Sequence, residues 1–432
     1  MSTGAGAGPA AVDGPRMGVD MQQRSLLEAH LDQGLSGQTP GQAGRLKSDR
    51  QRAWTAELGV NGLMSIEYTP EDHRDGEKQD SPRNSTPVAR PRAASESRLA
   101  RFRALLAAPV VDIFQLRDLA WSGIPPELRP QAWRLLLGYA PAAQAERAAA
   151  LKAKRDEYWH LVSELIDGVD PDQRSPDNQR TWRQIQVDVP RTTPEVRFFQ
   201  HPRIRACIQR VLYVMSQRRT RTGYVQGMND LLTPFLWTLL SEHLPILRAS
   251  FRTCASSVDN LPEAALRDAE ADAYGMFQSL LGVVQDNYTH TQPGIRRLAL
   301  ALQELTRRVD PALARHLVTQ GADFLQFSLR WFNCLLVREL PFALSLRLWD
   351  TYVAELEQTQ SHLLYASLAL LLQWSKELQQ RDFGGILTLL QRPPTTDWDE
   401  GDLESLLSKS FLLRSMLKDP KRGAAETGGS SV

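Results

Sequence analysis

Ile185-Gln-Val-Asp188-Val-Pro190-Arg191, followed shortly by Tyr224-Val-Gln226-Gly227-Met-Asn229-Asp230, is the stretch around which the rest of this chain is arranged. Each run offers one long hydrogen-bonding side chain on a turn. Val189 precedes Pro190, and clash with the proline ring disfavours the helical region for such a residue. Pro190 fixes its own φ and donates no backbone hydrogen bond. Arg191 is therefore expected to leave an extended, pre-set backbone, with Asp188 as a candidate for orienting it. Gly227, directly after Gln226, permits a tight bend or a close backbone approach. A guanidinium neutralises charge on a transferring phosphoryl group and an amide orients an attacking water. The pair suits loss of the γ-phosphate from a bound nucleotide.

Outward from these runs the pattern is helical. Ile204, Ile208, Val211, Leu212 and Met215 share one face of a helix opened by His201-Pro202. Leu99, Phe102, Leu105 and Leu106 share another, and Arg147–Asp167 is amphipathic. Ser122-Gly-Ile-Pro-Pro126 breaks the chain before a helix carrying Leu128, Ala132, Leu135 and Leu136. Arg129 and Trp133 are i, i+4 neighbours on that helix. Arg129 is read as structural, with contact to a catalytic loop or substrate as the alternative. Thr192 or Thr193 is expected to cap a short helix after Pro194, and Asp230 to cap the apolar helix from Leu231 to Leu240. Residues 324–340 read as one buried helix with a charged stripe. The Arg338-Glu339 and Trp349-Asp350 pairs read as structural ion pairs or caps. No sustained alternation of period two occurs. The expected fold is all-α: two packed helical lobes with the two finger runs at their front.

The chain has 432 residues, room for one large or two modest domains. With 42% hydrophobic and 23% charged residues it has the composition of a soluble globular protein. A net charge of +1 gives no field that would favour nucleic acid. Cys207, Cys254 and Cys334 are odd in number and widely spaced, which reads as reduced buried thiols. The apolar runs are too short to span a bilayer, so any membrane contact is expected to be peripheral. No Gly-x-x-x-x-Gly-Lys-Ser/Thr run exists, so the chain is not itself a P-loop NTPase. The His residues lack metal-ligand spacing; His160 and Glu164 read as surface neighbours, and no metal site is expected.

Residues 1–98, rich in Gly, Ala, Ser, Pro and charge, read as disordered. Met21–Leu31 and Trp54–Tyr68 are the pieces of it with some capacity for local order. Between Ser81 and Arg103 six Arg accompany one Glu, a solvated basic linker in which Arg90-Pro-Arg92-Ala-Ala-Ser95 has the form of a basophilic-kinase site. The globular domain is expected at 99–418 and a disordered tail at 419–432.

Arg129-Pro-Gln-Ala-Trp133, Ile185–Arg191 and Tyr224-Val-Gln226, in that order, resemble the motifs of the TBC-domain Rab GTPase-activating proteins. The likeness is greatest to the yeast Golgi Gyp-type branch and its animal relatives, and it covers roughly residues 119–413. The resemblance implies action in trans on a Rab-family GTPase in its GTP state. Arg191 and Gln226 would be catalytic and Asp188 would orient Arg191. Arg129, Trp133, Tyr224, Gly227, Asn229 and Asp230 would support them. It implies no cofactor of the chain's own, because the substrate GTPase carries Mg-GTP. It also implies a cytoplasmic protein, peripheral at Golgi or endosomal membranes. A non-catalytic Rab-binding scaffold is the alternative, against which the intact Arg191 and Gln226 weigh.

Overall fold

Helices supply the regular structure in the computed structural model, which describes residues 90–417 apart from 171–172, 220–221, 245–246 and 248–255. Among the described residues the β structure amounts to one isolated antiparallel bridge, Val110 to Ala143. Of the regions expected to be disordered, 1–98 and 419–432, residues 1–89 and the tail lie outside the described residues, as does Cys254, whereas 90–98 are helical. Cys207 and Cys334 are free and buried.

The first group of helices is α1 (Arg90–Leu106), α2 (Ile113–Trp121), α3 (Arg129–Leu136), α4 (Gln144–Val162), α5 (Pro176–Asp188), α6 (Pro202–Arg218), α7 (Met228–Leu240) and α8 (Glu263–Val283). The second is α9 (Pro293–Val309), α10 (Pro311–Thr319), α11 (Phe324–Asn333), α12 (Phe342–Ala354), α13 (Thr359–Gln373), α14 (Phe383–Gln391) and α15 (Glu400–Leu417). Their starts follow local chemistry. Asp112 accepts from the backbone N–H of Phe114 at 2.9 Å and of Gln115 at 3.1 Å, capping α2. Pro202 occupies the first turn of α6, where its missing N–H costs nothing, and His201 Nδ1 accepts from Arg203 N.

Helix α7 is buried on every side, with α8 and α6 against it. Helix α12 links the two groups, packing on α2, α3 and α7 and also on α13 and α15. Three rings make that junction: Trp133 of α3, Phe235 of α7 and Trp349 of α12, with centroids 5.5–6.4 Å apart. The two lobes consequently share one continuous hydrophobic core. Beneath the rings the buried Asp350 carboxylate accepts from Ile124 N, Arg129 Nε and Nη2, and Trp133 Nε1 at 2.8–2.9 Å. Trp349 and Asp350 therefore act separately, one packing and one anchoring.

Two boundaries differ from expectation. Helix α1 starts at Arg90, well before Leu99. Residues 90–98 lack an apolar face but are rich in Ala and Arg, good helix formers, and Arg98 binds the carbonyls of Leu119 in the last turn of α2 and Gly123 just after it. Helix α11 stops at Asn333 instead of running to Leu340. Leu335 and Leu336 take positive φ of 47° and 63°. That conformation costs roughly 1–2 kcal/mol per residue; full burial of each leucine contributes about 2–3 kcal/mol in return.

Candidate functional site

The Arg191 run does not have the extended backbone its proline suggests. Val189 sits at φ −58°, ψ −42°, and Val189–Arg191 forms a turn of 3-10 helix continuing α5. The local preference before proline is overridden because Val189 is fully buried and its N–H still reaches Ile185 O. The chain straightens only at Thr192 and turns left-handed at Thr193, φ 40°. Arg191 ends exposed. Among the described residues its guanidinium has no hydrogen bond or ion pair.

Asp188 does not orient Arg191 directly. Its Oδ2 accepts from Tyr224 Oη at 2.9 Å and from Gln184 Nε2 at 3.0 Å. The carboxylate is 2% exposed. Pairing with it would draw the Arg191 cation out of water, at a desolvation cost that one contact does not recover.

The second run turns at Gly227, whose φ of 105° lies in the left-handed region that favours glycine. A side chain there would also place its Cβ 3.4 Å from Asn333 Cβ, against the end of α11. Gly227 is the N-cap of α7, the place expected for Asp230. Asn229 has three bonds. Its Oδ1 accepts from Gly227 N at 3.0 Å and from Tyr224 Oη at 3.4 Å, and its Nδ2 donates to Thr192 Oγ1 at 2.8 Å. Thr192 is thus no helix cap: its hydroxyl donates to Asp188 O at 3.2 Å while receiving Asn229. Two side-chain bonds, Tyr224 to Asp188 and Asn229 to Thr192, tie together loops 36 and 37 residues apart in sequence. One bond flanks Arg191 on each side along the chain. Gln226, half-buried, lies between the two tied residues of its own run.

Asp230 lies in the first turn of α7, where the helix dipole favours a negative charge. Its Oδ2 is 3.6 Å from Arg338 Nη1 and accepts from Cys334 Sγ at 3.7 Å. Burial raises its pKa from 3.8 to about 6, with Arg338 acting in the opposite sense. Burial also pushes the Cys334 thiol and the Tyr224 phenol well upward, so both remain neutral donors.

Sequence reasoning missed the support behind the Gln226 loop. Tyr288 Oη donates to Asn333 O at 2.7 Å and Gln292 Nε2 to Asn333 Oδ1 at 3.1 Å. That corner, with Cys334 and Arg338, backs Gly227 and Asp230. Arg338 is bound to Asp230, and its neighbour Glu339 to Arg330 at 2.6 Å. The sequence carried no signal for this corner, because Leu335-Leu-Val favours a continuing helix. Arg129 and Trp133 are both committed to Asp350 and make no hydrogen bond to either finger run among the described residues. Among the described residues no group of three His, Cys, Asp or Glu could hold a metal ion, and no helix is long and apolar enough to cross a membrane.

Comparison with known proteins places this geometry. The model of the Rab-GTPase-TBC domain matches residues 126–379. GTPase-activating protein gyp1 of Schizosaccharomyces pombe is 46% identical over 322 residues, which are 74% of this chain and 61% of that protein. Human TBC1 domain family member 22B is 40% identical over 325 residues, 75% of this chain and 63% of its own length. The chain spans about three fifths of the length of these curated relatives. The crystal structure of the Ypt/Rab-GAP domain of Gyp1p is similar at a TM-score of 0.70 and 35% identity, covering 75% of this chain and 99% of that one. By its motifs, its helical fold and these matches, the chain belongs to the Rab-GTPase-TBC domain family.

Proposed function

We propose that the chain is a GTPase-activating protein that accelerates GTP hydrolysis by a Rab-family GTPase in its GTP state, using Arg191 and Gln226 together. The observation that carries this is the double tie between the finger loops, which leaves the Arg191 guanidinium exposed and without a partner among the described residues. A charge held ready in this way serves a ligand that arrives from outside. Arg191 neutralises charge on the transferring phosphoryl oxygens, and Gln226 orients the attacking water. GTP and Mg²⁺ belong to the substrate GTPase. Asp188 acts through Tyr224, holding the Gln226 run against the Arg191 run. The printed names of the relatives, GTPase-activating protein gyp1 and the Ypt/Rab-GAP domain of Gyp1p, agree with this reading. A Rab-directed activity would make the protein a regulator of vesicle traffic, acting from the cytoplasm and reaching Golgi or endosomal membranes through its partner.

The test is single-turnover GTP hydrolysis with a panel of purified Rabs. An arginine finger accounts for about 10³–10⁵ in rate, so Arg191→Ala should nearly abolish stimulation while leaving the melting temperature unchanged. The glutamine role is tested with a Rab lacking its own switch glutamine. Wild-type protein should still stimulate that Rab, and Gln226→Ala should not. Near-normal stimulation by Arg191→Ala refutes the arginine role. A glutamine-less Rab that binds but does not respond refutes the glutamine role.

A further inference from the structure

Helix α5 has two faces of different character. The inner one packs on α6: Ile185 and Asp188 are buried, and the Trp182 ring meets Tyr213 edge-on at 4.9 Å. Arg174 lies over both rings, 4.5 Å from Trp182 and 5.1 Å from Tyr213. The outer face carries Arg180, Arg183 and Val187, spaced by three and four residues, and Arg191 follows on the 3-10 turn; all four are exposed. Arg180 is paired with Asp177 at 3.3 Å. Arg183, among the described residues, has no hydrogen bond or ion pair. Val187 is 48% exposed. The other large apolar side chains with comparable exposure, such as Phe114, Phe383 and Phe411, sit on elements that carry neither finger.

We propose that this outer face, with Val187 at its centre and Arg183 at its rim, is the surface against which the GTPase rests when Arg191 enters its nucleotide site. The proposal deepens the function proposed above and depends on it. The finger turn continues α5 without a break, so Val187 lies about 7–8 Å along the axis from Arg191 and Arg183 about 13–14 Å, at roughly 1.5 Å per residue in the α-helix and 2.0 Å in the 3-10 turn. A protein that brings bound phosphates to Arg191 from the side of this face covers Val187. The occupant has an apolar contact point for Val187 and, one turn further from the nucleotide, an acidic patch for Arg183. Val187 then supplies contact and Arg183 supplies charge complementarity, which governs encounter and partner choice more than final affinity. Neither residue touches the reacting atoms; both act on recognition.

The experiment measures the single-turnover rate against concentration of the activating protein, which separates the half-saturating concentration from the maximal rate. Val187→Asp should raise the half-saturating concentration about tenfold or more, while the maximal rate stays within about twofold. Arg183→Glu should raise it as well, and its stimulation should fall less steeply with added salt than that of the wild type. Thermal melts of both should match the wild type because both positions face solvent. Val187→Gln, uncharged and tolerated at an exposed helix position, guards against misfolding and should show the same direction with a smaller effect. Wild-type stimulation with unchanged half-saturation for Val187→Asp and Arg183→Glu overturns the surface and leaves the function standing. A wild-type protein that stimulates no Rab overturns both.

Discussion

Replacing Tyr224 with Phe removes one oxygen and keeps the ring, so it probes the tie between the fingers with little change in packing. The lost contacts are the 2.9 Å bond from Tyr224 Oη to Asp188 Oδ2 and the longer 3.4 Å one to Asn229 Oδ1. Asp188 is 2% exposed and, among the described residues, keeps Gln184 Nε2 at 3.0 Å as its one side-chain donor. A hydrogen bond to a charged acceptor contributes about 1.5–3 kcal/mol, and the donor that remains on Asp188 keeps the loss in the lower half of that range. A loss near 2 kcal/mol lowers the melting temperature of a domain this size by about 4 °C. The same energy, if it holds the Gln226 run in its working position, allows a rate loss of up to about 30-fold. Both quantities are measurable on one preparation, by thermal melting and by single-turnover hydrolysis on a responsive Rab. Asn229→Ala in the same background tests whether the second tie is coupled to the first. Because both hold one pair of loops, the two losses should not add. A variant that melts early but stimulates normally refutes the idea that the tie positions the fingers. A variant altered in neither respect refutes the bond.

Two other outcomes follow from buried carboxylates. Asp230 has its pKa raised from 3.8 to about 6, so the folded state holds its proton more tightly than the unfolded chain. Its contribution to stability is full below pH 3.8 and is lost as pH rises toward about 6, a swing of about 3 kcal/mol. Asp230→Asn should therefore flatten the melting profile between pH 4 and 6, and identical profiles for the two proteins would contradict the assignment. Asp350→Ala should cost about 3–5 kcal/mol in denaturant unfolding, because it strands Arg129 and two further donors. Activity per folded molecule should persist. Lost stimulation without lost stability would place Arg129 in the chemistry instead.

The helices were legible because apolar residues recur with the helical period, and the fingers because a few residue types at fixed spacing carry the resemblance. What stayed hidden was set by distant partners. Asp188 had an arginine three residues away but is bound by a tyrosine 36 residues on. Val189 follows its burial and not its proline. Thr192 looked like a cap because a cap is local, whereas its partner Asn229 is 37 residues away. Arg129 and Trp133 were visible as neighbours on one helix, but Asp350, 221 residues beyond Arg129, determines what they do.

The corner behind the Gln226 loop also has a consequence for synthesis. Cys334, which binds Asp230, leaves the ribosome 104 residues after it. At ordinary elongation rates that gap lasts about 5–20 s. During it α7, buried on every side in the finished fold, has neither α11 nor α12 to cover it. The Gln226 run is thus made early and completed late. The nascent chain carries an incompletely covered apolar helix for seconds, a natural point for a chaperone to act and for aggregation to begin.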